Sequence, residues 1–396
     1  MFRKTLTIKV LTPVHIGSGN NLHQIDLVLE NGRFFRYDWD YLIDFLIEKG
    51  LMAEFKEVLK KRELKTLTDI KAFLETKGFE LPEGAILYSA PISCSKKQIE
   101  EFIKLSGKVY LPGSELKGSL RRALLLYALE KDNKLFSSFK RVLEERLINP
   151  KPTHRKPLKK VLSEINTFLE DRVFRPFGGS SYGDLLKFIS FSDSSFCEPE
   201  EVLEVKEVRL FKLPRVQESF ELRRCSDLIE DRRSICSEVV RPGSEFTVSF
   251  LFRAEQFRKF REEGKRLFNN FGGYRSTKVL ELFTFSGEET LKNLLKAWSK
   301  AEKLSVEVDK TLKSCLEESG LELTGEGHLI RLGKHEGFLF TTVMPALLRK
   351  GEEEFFAKVV NKLKLGKGRS SIFPKTRKFL VDNSGKIPLG FCSVEF

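Results

Sequence analysis

The opening residues "FRKTLTIKVLTPV" alternate between polar and apolar side chains, the period-two pattern of a strand with one buried face. The alternation continues in "QIDLVLENGRFFRYD", where Asn31-Gly32 supplies the positive φ angles of a tight hairpin turn. Three strands are therefore expected at the start of the chain. From Trp39 to about Gly78 the spacing becomes helical, with Leu42, Phe45 and Leu46 on one face and Met52, Phe55 and Leu59 on the next. "GKVYLP" reads as a short strand leading into "GSELKGSLRRALLLYALEK". That stretch predicts a helix with Ser114 as N-cap and a stripe of Leu116, Leu120, Ala123, Leu124 and Tyr127.

Residues 131–175 are basic and proline-punctuated around "NPKPTHRKPLKK", after which "YGDLLKFISFSDSSF" returns to strand character. This order suits an antiparallel sheet with helices on one face, as in ferredoxin-like folds. Beyond about Glu200 the grammar repeats: "EVLEVKEVRLFKL" and "SEFTVSFLF" read as strands, "EQFRKFREEGKRLFNNF" and "EETLKNLLKAWSKAEKL" as helices. The expected fold class is α+β, in two domains spanning residues 1–200 and 201–396.

Charge narrows the function. A net charge of +13 over 396 residues favours a polyanionic partner over a small neutral substrate. Six cysteines without paired spacing argue against a disulfide framework or a zinc ribbon and fit a reducing cytoplasm. "MFRKTLTIKV" has no apolar run of signal-peptide length, and no stretch reaches about 18 consecutive apolar residues. A soluble, cytoplasmic protein with no membrane partner is the expectation.

Four stretches could carry chemistry. In "LTPVHIGSGN", Gly17 and Gly19 would turn the backbone and expose N–H groups to an anion. His15 would contact a phosphate, act as a general base, or satisfy a local bond. In "YLPGSELKGSLRRAL", a helix beginning at Gly113-Ser114 offers its positive end to phosphate, and Lys117 and Arg121 share a face one turn on. Gly113 and Gly118-Ser119 imitate a Walker A spacing, but no lysine stands between Gly118 and Ser119, which disfavours ATP. Arg155, Lys156, Lys159 and Lys160 form a third patch suited to a phosphate backbone. The fourth, Lys358 to Phe379, holds eight lysines and arginines and no acidic residue, Lys367, Arg369, Lys375 and Arg377 among them. The histidine and cysteine spacings match no common metal site, and neither a G-x-S-x-G elbow nor HExxH occurs. Neither a metal nor a cofactor is expected.

"LTPVHIGSG", "YLPGSELKGSLRRAL" and "FPKTRKFLVDNSGKIPLGF", in that order, resemble the repeat-associated mysterious proteins (RAMPs) of type III CRISPR systems. Within that superfamily the chain is most similar to the head subunit of the type III-A Csm complex. The resemblance implies two RRM-like RAMP domains with helical insertions in a cytoplasmic ribonucleoprotein of antiviral defence. It also implies a non-catalytic, RNA-binding role: holding the 3′ part of the crRNA, capping the backbone filament and taking part in crRNA 3′-end maturation. Its partners would then be crRNA, other Csm subunits and host nucleases. Gly17, Gly19, Gly113, Ser114, Lys117, Gly118 and Arg121 inherit a structural or RNA-facing role. The superfamily's glycine-rich loop is divided here between "RLGKHEGF" and "LGKGRSS". Two rival readings stay open: a metal-independent RAMP endoribonuclease with His15 as general base, and a protein scaffold with a solubilising basic surface.

Overall fold

A computed structural model describes the chain except for residues 95, 97, 151–156, 179–180, 214–223, 268–273, 322–326, 366–372 and 384. Among the described residues the strands run, in chain order, β1 (Phe2–Val10), β2 (Gly17–His23), β3 (Leu27–Glu30), β4 (Arg33–Tyr37), β5 (Ile86–Ser93), β6 (Gln98–Phe102), β7 (Lys104–Leu105) and β8 (Lys108–Val109). They continue with β9 (Ile189–Phe191), β10 (Leu203–Lys212), β11 (Ile229–Val240), β12 (Glu245–Phe252), β13 (His328–Arg331), β14 (Thr376–Asp382), β15 (Gly385–Ile387) and β16 (Phe391–Glu395). Helices α1 (Trp39–Glu48), α2 (Met52–Lys60) and α3 (Leu67–Thr76) follow the opening strands, as the periodicity predicts. The main helices are then α4 (Gly113–Lys131), α5 (Asn133–Leu143), α6 (Leu158–Phe174), the short α7 (Pro199–Val202), α8 (Ala254–Leu267), α9 (Gly287–Val308) and α10 (Lys310–Glu318).

Helices and strands mix throughout, an α+β fold. One sheet has the order β13-β16-β1-β12-β9. Its centre is β1, whose alternation buries Leu6, Ile8 and Val10. Ile8 lies opposite Phe246 on one side and Val394 on the other. The second sheet runs β2-β6-β11-β10-β5-β4-β3, with β14 also pairing β10 and β15 pairing β14. Asn31 and Gly32 make the β3–β4 turn with φ of 49° and 72°, as expected. Leu116, Leu120, Ala123 and Leu124 of α4 are buried in the main core, and Trp298 Nε1 of α9 donates to Ser119 Oγ at 3.2 Å. A smaller core joins α1, α2 and α3 to the β3–β4 hairpin through Val28, Leu42, Phe55 and Ile70.

Several expectations are corrected. The opening contains four strands: "GSGNNLH" is itself β2, paired with β6, although its glycines and polar residues carry no strand signal. Residue 200 does not divide the sheets, because each sheet takes strands from both halves. Ser114 lies inside α4; Pro112 holds the N-cap position without a side-chain bond. Four of the six cysteines pair across long separations, Cys94 with Cys236 (Cα–Cα 6.1 Å) and Cys225 with Cys315 (4.7 Å). Tertiary proximity, invisible in local spacing, brings them together. Among the described residues no helix is long and apolar enough to cross a membrane.

Candidate nucleic-acid interface

Residues 11–16 carry the chain from one sheet to the other. Leu11 and Thr12 donate to the Phe391 carbonyl of the first sheet, and Val14 exchanges backbone bonds with Val240 of the second. Pro13 has no N–H to satisfy at this crossing, and its carbonyl accepts from Gly390. This is why a proline stands behind the first strand. The crossing buries His15 completely, which corrects the expectation that its ring faces a phosphate.

His15 Nδ1 lies 2.6 Å from the Glu238 carbonyl, which can only accept, so Nδ1 carries the proton and Nε2 a lone pair. Burial, opposed by that bond, pushes the His15 pKa down to about 4. Nε2 has no hydrogen-bond partner among the described residues and faces Glu100 Oε2 at 3.6 Å. Glu100, on β6, also meets His335 Nε2 (3.0 Å), Ser237 Oγ (3.1 Å) and Lys334 Nζ (2.7 Å). Burial alone would raise the Glu100 carboxyl, but bonds from His335 and Lys334 hold it well below the usual carboxylate range. The His15 and His335 rings stack at 5.5 Å. Lys378 Nζ lies 3.0 Å from His335 Nδ1, and burial lowers the pKa of both groups.

The loop from Leu332 to Gly337 is clamped onto this cluster. Gly333 has φ +91°, and a Cβ there would sit 2.3 Å from the His15 carbonyl oxygen. Only glycine fits that close approach. The adjacent Lys334 N–H donates to the same oxygen at 2.7 Å, and the Gly333 N–H donates to Glu115 Oε1 of α4 at 3.2 Å. The opening motif and the α4 motif therefore meet at "GKHEG". Beside them opens a cavity of about 630 Å³ whose lining includes Gly17, Lys334, His335, Phe373, Arg377 and Lys378. Gly17, Ser18, Gly19 and Asn20 are exposed on β2, at the edge of the second sheet. Gly19, at φ +94°, takes a conformation open mainly to glycine.

The other expected residues are placed differently. The N-terminus of α4, predicted to receive phosphate, is met by a carboxylate from its own chain: Gly113 N–H donates to Asp193 Oδ1 at 2.8 Å. A Cβ on Gly113 would lie 2.4 Å from the Phe191 carbonyl, so Gly113 serves packing, whereas Gly118 and Ser114 are exposed. Lys117 Nζ donates to the Ile189 carbonyl, and burial lowers its pKa. Arg121 pairs with Asp184 (2.8 Å) and Glu170 (3.3 Å) and lies over the Phe174 ring. Arg377 forks onto Asp309 at 2.8 and 2.9 Å. Lys159 and Lys160 are exposed on the first turn of α6, and Lys375 is half-buried beside β14. Arg155, Lys156, Lys367 and Arg369 lie outside the described residues.

Sequence reasoning missed Glu100 and the buried Glu238, and it met Lys378 only as one of the eight cations of the fourth stretch and Lys334 and His335 only within the divided glycine-rich loop. The "RLGKHEGF" loop was a usable signal. Glu100 had none, since only the β6–β11 register sets it against Ser237.

Residues 7–305 match the RAMP superfamily. The chain belongs to that superfamily. Relatives and solved structures extend the likeness beyond the RAMP match itself. Over 98% of the chain it is 23% identical to a Methanocaldococcus jannaschii protein described as CRISPR system Cms protein Csm5, covering 88% of that protein. A Streptococcus thermophilus protein of the same description is 27% identical over 132 residues, 37% of its length and 30% of this chain. In fold, this RAMP protein is similar to a chain of a cryo-EM Csm-crRNA-target RNA ternary complex of a type III-A system. That likeness has a TM-score of 0.69 at 24% identity, over 98% of this chain and 99% of the other. The T. onnurineus Csm5 crystal structure gives 0.58 at 22% identity, over 98% and 99% of the two chains.

Proposed function

We propose that this RAMP protein is the RNA-binding head subunit of a type III-A Csm ribonucleoprotein. In this reading it holds the 3′ part of the crRNA, caps the backbone filament and takes part in crRNA 3′-end maturation without cleaving RNA itself. The observation that carries the reading is the end-to-end similarity to a relative described as Csm5, 98% of this chain against 88% of that one. The surface chemistry agrees with it. The exposed glycine strand β2 lies at a sheet edge, and Lys334 and Lys378 line the cavity beside Gly17. Such a surface tracks phosphates and reads little sequence. The burial of His15 weighs against its use as a general base, since no 2′-hydroxyl reaches hydrogen-bond distance of a fully covered ring without backbone movement. Within this reading the protein works in the cytoplasm.

The test is a gel series with purified protein and labelled crRNA in EDTA at two salt concentrations. Retardation that weakens steeply with salt, with intact RNA, is expected. A discrete cleavage product that disappears in His15→Ala would replace this reading with the endoribonuclease one. Neither retardation nor cleavage would favour a protein scaffold.

A further inference from the structure

Three groups that can ligate a metal converge beneath the glycine strand. His15 Nε2, Glu100 Oε2 and His335 Nε2 all lie within 4.8 Å of one another. They come from three distant parts of the chain: the crossing after β1, the middle of β6 and the loop after β13. In the chain by itself the arrangement is unsatisfied at one point. The Glu238 carbonyl fixes the proton of His15 on Nδ1, so the Nε2 lone pair is aimed at a carboxylate oxygen 3.6 Å away. Two electron-rich atoms face each other in a buried position, and among the described residues Nε2 has no hydrogen-bond partner.

An ion between them would resolve this. On a tetrahedral zinc ion, with Zn–N and Zn–O near 2.0–2.2 Å, neighbouring ligand atoms are about 3.3 Å apart. The observed 3.6 Å and 3.0 Å from Glu100 Oε2 to the two imidazoles bracket that edge. The outer contacts also match a ligand set. His15 is oriented by a backbone carbonyl through its second nitrogen, the arrangement that fixes tautomer and ring direction in metal-bound histidines. Lys334 holds Glu100 by its other oxygen, Oε1, leaving Oε2 directed inward.

We propose that His15, Glu100 and His335 form a binding site for one divalent transition ion of the zinc class. Three protein ligands leave a fourth position for water or a hydroxyl; Ser237 Oγ, 3.1 Å from Glu100 Oε2, stands next to it. The ion joins the β1–β2 crossing, β6 and the glycine loop at one point, and so sets the position of Gly17 and Lys334 on the cavity rim. Two features limit its affinity. Ligation through His335 Nε2 moves its proton to Nδ1, which then faces the Lys378 ammonium 3.0 Å away and turns it aside, and the Lys334 and Lys378 charges repel a cation. Mixed nitrogen and oxygen ligation favours zinc, cobalt or nickel over calcium or magnesium.

The experiment uses the full-length, tag-free chain, stripped with chelator, desalted and kept oxidised, in a Cys197→Ser background that removes the half-buried free thiol. Zinc is titrated by calorimetry, and cobalt by its visible spectrum. The expected result is one ion per chain, a tetrahedral cobalt spectrum without thiolate charge-transfer bands, and a rise in melting temperature with zinc but not magnesium. Glu100→Gln and His335→Gln, both near-isosteric, each lower zinc affinity on the order of tenfold or more. Absence of binding by the folded chain, or undiminished binding in the Glu100→Gln/His335→Gln double variant, overturns the proposal. Each variant's circular dichroism is recorded without metal, so that loss of fold is not read as loss of a ligand. RNA retardation is scored in EDTA and separately, so the two readings fail independently.

Discussion

The main-chain carbonyl of Glu238 holds His15 Nδ1 at 2.6 Å, while the carboxylate of the same residue, fully buried, binds Lys104 at 2.6 Å, Tyr88 Oη at 2.7 Å and the Phe102 N–H at 2.7 Å. One strand residue thus anchors the crossing segment with its backbone and β5, β6 and β7 with its side chain. Glu238→Gln leaves the nearly buried Lys104 ammonium without its counter-charge, so a loss of about 3–5 kcal/mol is expected. Lys104→Met added to it should recover part of that loss. Urea denaturation of the single and double variants measures both.

The glycines of the two motifs separate by what surrounds them. Gly118 lies exposed inside α4 with open space where a Cβ would go, so Gly118→Ala should stabilise by about 0.5–1 kcal/mol through helix propensity. Gly113→Ala meets the Phe191 carbonyl at 2.4 Å and should cost about 1–3 kcal/mol. Gly333→Ala adds a left-handed φ to a 2.3 Å contact and should cost more than Gly113→Ala. Thermal melts that rank the three in another order would contradict this packing.

Basic residues should likewise divide into phosphate contacts and internal partners. Lys334 is half-exposed on the cavity rim, so Lys334→Ala should lower RNA affinity across sequences and reduce the salt slope by about one. Arg377→Gln instead strands the buried Asp309 carboxylate, costing about 3–5 kcal/mol of stability. Its salt slope should stay near that of the parent protein. Binding isotherms at several salt concentrations, beside melting curves, distinguish the two.

Cys225–Cys315 ties the start of β11 to α10 across 90 residues of sequence. Reduction, or Cys315→Ser with Cys225→Ser, should lower stability by about 2–4 kcal/mol. Thiol titration under native and denaturing conditions, with melts in reductant, reports whether the link is present and what it contributes.

Acid should act through Asp132. Burial raises this carboxyl, but the Tyr274 hydroxyl at 2.5 Å and the Leu135 N–H at 3.0 Å outweigh it, and the net pKa is lowered. Its folded value lies below its unfolded one. The contribution is therefore fully present above about pH 4 and is lost as pH falls through the folded value. Asp132→Asn should flatten the acid limb of a stability-versus-pH curve while lowering its neutral plateau.

Much of this was readable from local pattern. Alternation located β1, Asn31-Gly32 located the hairpin, and helical spacing located α1 to α4, because each signal is confined to a few neighbouring residues. The interface was only half legible. Gly17 and Arg377 do line the cavity, with Lys378 next to Arg377 in sequence, yet Lys334 and His335 arrive from another part of the chain. A positive side chain reads the same in sequence whether it faces solvent, as Lys159 does, or a buried partner, as Arg377 does. The pairing of Cys225 with Cys315 is illegible for the same reason: it depends on where a turn before β11 meets α10 in the folded chain.

The position of β1 between β12 and β16 orders events in time. β1 has its neighbours at residues 245–252 and 391–395, so both are made long after it. Until residues 391–395 have been made, the apolar row Leu6, Ile8 and Val10 lacks one flank of its sheet, and every contact that completes it closes a loop of hundreds of residues. Pairing of β1 is accordingly late, and in the meantime it presents a nascent strand edge that a chaperone or an assembly partner would be well placed to shield.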